Sequence, residues 1–117
     1  MKKTDAVNIY RILSPLAITK FSNDNQQAIL GNYLKLHDVA KAHDDAIRAA
    51  SDKLRAEELS DEKKNVKMAE AINNLFNEEV TIELAQVDRA QFLAEASKAG
   101  IEVSLAQVAT LAPMFKQ

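Results

Sequence analysis

The sequence predicts a mainly α-helical protein. A long helical hairpin follows a short N-terminal helix. The C-terminal part holds two short helices and room for a small two-stranded β ribbon. Three observations carry this prediction. Apolar residues recur at alternating steps of four and three from Ile29 to Leu54. The 117 residues include only two Gly and two Pro, too few for the many tight turns of an all-β fold. The composition leans to Ala, Leu, Lys, Glu and Gln, the residues that lose least on entering a helix. A chain this long makes one domain, 1–117, divided as an N-terminal segment 1–22, a hairpin 23–77 and a C-terminal segment 78–117.

From Asp5 to about Phe21 a helical face runs through Ile9, Leu13, Leu16 and Ala17. Pro15 interrupts it. A proline inside a helix removes one hydrogen bond and clashes with the preceding turn, so two short pieces or a kink are expected near Ser14-Pro15. Ser22-Asn23-Asp24-Asn25 then offers a set of N-caps.

The strongest pattern follows. Ile29, Tyr33, Leu36, Ala40, His43, Ile47, Ala50 and Leu54 form an a/d heptad seam. Charged residues lie between them, with pairs such as Asp44 and Arg48 at i,i+4. A helix over 24–56 would be about 50 Å long at the standard rise. Gly31 lies inside it, at a cost of about 1 kcal/mol relative to Ala. Such a helix cannot bury its seam alone. The chain turns near Glu57–Asp61, Ser60 caps a second helix, and a face through Val66, Ala69, Ile72, Asn73, Leu75 and Phe76 returns to about Asn77. The returning helix covers about half of the outgoing one. The N-terminal segment, the C-terminal third or another subunit must cover the rest.

From Glu79 the period changes. Val80, Ile82 and Leu84 alternate with Thr81 and Glu83, which is a strand signature. Asp88 and Gln91 stand at capping-box spacing before a helix over Ala90–Ala99 that buries Phe92, Leu93 and Ala96. Gly100 ends that helix in the position where a left-handed residue is wanted. Ile101–Val103 is a second short extended stretch, and pairing it with Val80–Leu84 would make the ribbon. Ser104 and Gln107 cap a last helix whose inner face is Leu105, Val108, Leu111, Ala112 and Phe115, with Pro113 ending or distorting it. The tetrapeptide L-A-Q-V thus occurs twice in different roles: after a strand at Leu84–Val87, and opening a helix at Leu105–Val108.

This order of features resembles a family of small phage- and prophage-encoded helical proteins of unknown function. The shared features are a short first helix, a long hairpin and an L-x-N-E-E-V-x-I segment. A short helix and a closing L-x-P-hydrophobic stretch follow. The matching residues here are Leu75 to Ile82, then Ser104 to Phe115 with Leu111-Ala112-Pro113-Met114-Phe115. The hairpin tip is shorter and the long helix richer in Ala than the family's pattern. The resemblance implies a phage setting and a helical fold, and it brings no catalytic residue.

Other readings narrow the function. The net charge is −2, which lacks the basic footprint of a nucleic-acid binder. Cysteine is absent, so no disulfide frame, thiolate zinc site or Cys nucleophile is expected. Met1-Lys2-Lys3 leads into Thr-Asp rather than an apolar core, and no apolar run is long enough for a membrane. His37 and His43 are six residues apart and do not share a helix face as a metal pair would. His43 lies on the seam, where an imidazole with a pKa near 6.5 would make the packed layer sensitive to pH. Of the paired acids, Asp61-Glu62 suits a helix start, whereas Glu78-Glu79 opposes the dipole at a helix end and stands out as a contact.

The expectation is a non-enzymatic protein with no cofactor or metal, acting by protein–protein interaction, first in virion (tail) morphogenesis. The alternative is a small regulatory or host-factor-binding protein of phage origin. Its partner is itself, as a homo-oligomer, or another phage or host protein, and not nucleic acid or membrane. Its place is the cytoplasm of a bacterial host or the virion. The expected interaction residues are Ile29, Tyr33, Leu36, His43, Ile47, Leu54, Glu78 and Glu79.

Overall fold

The computed structural model describes residues 1–116. Five α-helices succeed one another: α1 Lys3–Leu13, α2 Asn23–Ala56, α3 Asp61–Asn77, α4 Arg89–Lys98 and α5 Leu105–Leu111. Short 3-10 turns cover Ile18–Lys20 and Ala112–Met114. The helical hairpin is α2 with α3, and α1 packs on α2 and reaches the end of α3 and α5. The molecule measures 55 × 25 × 24 Å. Its long dimension is set by α2, whose 34 residues span about 51 Å at the standard rise.

Local chemistry places the helix ends. Serine hydroxyls of Ser22, Ser60 and Ser104 accept from the third residue on, at Asn25, Lys63 and Gln107. Ser104 and Gln107 complete a full capping box, because the Gln107 side chain also accepts from the Ser104 amide at 2.9 Å. Asp88 caps α4 through the Gln91 amide at 2.8 Å. The Gln91 side chain turns instead to Glu95, so that box is half formed. At the other end of α4, Gly100 has φ +73, Ile101 N donates to Ala96 O and Gly100 N donates to Ser97 O. This Schellman ending requires the left-handed residue that glycine supplies. Helix α1 stops at Leu13 just before Pro15, as the ring demands.

One core serves the molecule, at one end of it. Ala6, Ile9 and Leu13 of α1 meet Ile29 and Leu36 of α2, Leu84 and Val87, Phe92 and Ala96 of α4, and Leu111, Met114 and Phe115. Phe92 is its centre, stacked on Phe21 at 5.2 Å and tilted against Phe115 at 5.5 Å between ring centroids. Complete burial of one such ring contributes about 2 to 3 kcal/mol.

Two expectations are corrected here. The ribbon between Val80–Leu84 and Ile101–Val103 does not form. Among the described residues the β contacts are single bridges, Lys2 with Glu79 (antiparallel) and Val87 with Phe115 (parallel). An isolated two-stranded pair is marginal, and the extended segment 78–87 finds partners elsewhere. At its start, Lys3 N donates to Glu78 O at 2.7 Å and Val80 N to Met1 O at 2.8 Å. At its end, Val87 N donates to Met114 O at 2.9 Å and Lys116 N to Val87 O at 2.8 Å. In the middle, Lys35 Nζ donates to Glu83 O. The segment is a strap lying across α2, tied to both ends of the described chain.

The second correction concerns faces. In α3 the half-buried side is Lys64, Met68, Ala71, Ile72, Leu75 and Phe76, whereas Val66, Ala69 and Asn73 are exposed. In α5, Leu105 is 90% exposed and Ala112 also faces outward, while Met114, beyond the helix, is fully buried. The 3-10 turn that holds Pro113 accounts for the exchange of Ala112 for Met114, because it shifts the inward positions at the end of the helix.

Candidate functional site

Burial divides the chain sharply. From Asp44 to the end of α3 at Asn77 no residue is buried, and α3 contributes none over its 17 residues. The outer part of the hairpin is therefore an arm of two helices standing out from a packed base. Helices α2 and α3 touch there through one half-covered layer that includes Ile47, Leu54, Met68 and Ile72. The tip is tied by the cap bond from Glu57 N to Leu54 O and by Lys67 Nζ with Glu57 Oε2 at 3.4 Å. On the outer side of α3, Val66 is 58% exposed between Glu62, Lys63, Lys67 and Glu70.

The expected interaction residues fall into three groups. Ile29, Leu36 and His43 are at most 1% exposed, so the chain itself covers them. Tyr33, Ile47 and Leu54 are half-buried. Tyr33 stacks on Tyr10 of α1 at 5.3 Å, while Ile47 and Leu54 belong to the arm. The N-terminal half of the seam is thus closed by α1 and the C-terminal third, and its outer half by α3 alone. Glu78 and Glu79 are exposed, yet both have partners within the chain. Glu78 Oε2 accepts from Lys3 Nζ at 2.6 Å, and Glu79 Oε2 lies 3.5 Å from Met1 N. Lys3 supplies the positive charge that Glu78 lacks at its helix end.

Two polar residues that hold the base together escaped the sequence reading. Asn32, wholly buried, donates Nδ2 to Ala85 O at 2.9 Å and accepts from Ala85 N at 2.7 Å. The signal for it was present: an Asn on the same apolar face as Ile29 and Leu36. Glu95 of α4 sits at the N-terminus of α2, where it accepts from Asn25 Nδ2 at 2.7 Å and from Ser22 N at 3.2 Å. Burial pushes its carboxyl up, but the hydrogen bonds from Asn25, Ser22 and Gln91 outweigh that and hold it below the usual range. Nothing in the local sequence distinguishes Glu95 from any solvated helical glutamate.

No protein-family model, curated protein or solved structure matches this chain. Chemistry must therefore be read from its own geometry. Among the described residues no three His, Asp or Glu side chains converge as a metal site. No described helix is long and apolar enough to cross a membrane. A surface hollow of about 450 Å³ beside the end of α4 is lined by Leu93, Ala96, Ser97, Gly100, Ile101, Glu102 and Val103. Its two polar side chains, Ser97 and Glu102, lack a histidine or second carboxylate among their neighbours in that lining, so no nucleophile–base pair arises there. The feature with the clearest consequence is the arm.

Proposed function

We propose that this protein acts by binding another protein through the arm formed by the outer halves of α2 and α3. One observation carries the reading: the hairpin holds thirty-four consecutive residues, 44–77, without burying any of them. A two-helix layer gains little stability from its own contacts, because most helical stability comes from burying an amphipathic face. The base already has its core, so the arm is not needed to complete it. A partner laid on the arm would cover Val66 and the half-buried layer beside it.

The setting proposed is the phage or prophage one that the resemblance implies, and the role proposed within it is virion assembly without catalysis. The partner is a second copy of this chain or another protein of the phage or its host. Solution mass by light scattering, over a dilution series, tests the reading with wild type and Val66→Glu. A dimer that Val66→Glu dissociates makes the partner a second copy. A wild-type monomer assigns the arm to a foreign partner. An oligomer that Val66→Glu leaves intact contradicts the assignment of the arm.

A further inference from the structure

His43 sits where three elements cross. Its imidazole, on α2, is 1% exposed, and neither ring nitrogen has a hydrogen-bond partner in the protein. Phe76 of α3 lies against it, with ring centroids 4.4 Å apart and planes inclined at 50°. The ionisable groups acting on it are Lys3 and Arg11 of α1, Asp44 of its own helix and Glu78 at the end of α3. Of these, Lys3 and Glu78 are already joined to each other at 2.6 Å. A neutral imidazole tolerates this place at the cost of unmade hydrogen bonds. An imidazolium would be a buried cation beside the Lys3 ammonium, with no acceptor for either N–H.

We infer that the His43–Phe76 contact is an acid-sensitive latch. Protonation of His43 lifts the inner end of α3 from α2 and loosens the strap at Glu78–Val80. The ring can shed its desolvation only by reaching water, and Phe76 is an α3 side chain packed directly on it. Two carboxylates attract the new charge: Asp44, the exposed next residue of α2, and Glu78, which already holds Lys3. A turn of the ring toward Glu78 undoes the tie between α1 and the strap. The protonation equilibrium runs the same way. Burial first, then the Lys3 and Arg11 charges, lower the His43 pKa against the opposing pull of Asp44 and Glu78. Stability from this group is therefore complete above the unfolded imidazole value of about 6.5 and is lost as pH falls below it. The latch concerns how the arm is hinged to the base and does not depend on what the arm binds.

Amide hydrogen exchange read by mass spectrometry, corrected for the intrinsic pH dependence of exchange, tests this at about pH 7.5 and about pH 5. The expected result is a roughly tenfold or greater loss of protection over residues 61–80 on acidification, relative to residues 89–111. His43→Met, an apolar side chain that adapts to irregular space, should abolish that difference. His37→Gln, at the half-exposed histidine, should keep it. An equal loss across the whole chain in wild type and His37→Gln overturns the latch, whether or not His43→Met folds. So does an unchanged acid response in a folded His43→Met.

Discussion

Asn32 and Ala85 exchange two hydrogen bonds, at 2.9 and 2.7 Å, through which a helix side chain holds a strap as a neighbouring strand would. The side-chain amide presents one donor and one acceptor to the Ala85 carbonyl and amide. That is why an extended segment with no strand beside it keeps its place over α2, and why Leu84 and Val87 on either side of Ala85 point into the core. Truncating Asn32 leaves both Ala85 groups without their partner. Asn32→Ala should lower stability by about 2 to 3 kcal/mol in urea unfolding. Asn32→Asp should do no better, since a carboxylate faces the Ala85 carbonyl without a proton to give.

The two glycines should respond in opposite directions. A Cβ on Gly31 would meet nothing within 4 Å, so Gly31→Ala removes a helix-interior glycine at no steric cost. It should raise stability by about 1 kcal/mol. Gly100 holds φ +73, so Gly100→Ala should cost about 1 kcal/mol. Paired thermal melts of the two variants check both signs.

Glu95 gives the acid side of the stability profile a specific owner. Its folded pKa is lowered, through the Asn25 and Ser22 hydrogen bonds that overcome burial. The stability it contributes is present above the unfolded carboxylate value of about 4.3 and disappears as pH falls through the folded one. Glu95→Gln should therefore be less stable than wild type at neutral pH. The gap should narrow in urea titrations carried below that value. A gap that is constant with pH would mean that the carboxylate's charge is irrelevant.

Substitutions in the arm should separate folding from binding. Val66→Glu replaces an exposed side chain and should change unfolding free energy by less than about 0.5 kcal/mol. Phe92→Ala, at the centre of the base, should cost about 3 to 5 kcal/mol. If the two variants lost similar stability, the division into base and arm would be wrong.

What the sequence made legible was local. The break before Pro15, the serine caps, the Gly100 ending and the heptad seam all depend on residues within a turn or two of each other, and each is where its neighbours place it. The failures were matters of distant partnership. The alternation Val80–Leu84 reported an extended segment truthfully. Its partners, Met1–Lys3, Asn32 and Phe115, lie far along the chain and carry no periodic mark. The phase of α3 departs from its apolar pattern around Val66, because Lys64 and Ala71 on the inner side are weaker apolar signals than an exposed valine. Met114 entered the core because Pro113 tightened the last turn, which spacing counted along a regular helix does not anticipate. The seam positions of α2 all lie on its buried or half-buried side. The division of the seam into a closed half and an arm depends on where α1 and the C-terminal third pack.

The most direct measurement is site-specific photocrosslinking in cells, with a photoreactive residue placed in turn at Val66 on the arm and at Leu105 on the base. Both side chains are exposed, so neither replacement disturbs the core. The account predicts a discrete protein adduct from Val66, competed by excess unlabelled protein, and none from Leu105. An adduct from Leu105 with none from Val66 would contradict it and move the binding surface to the base.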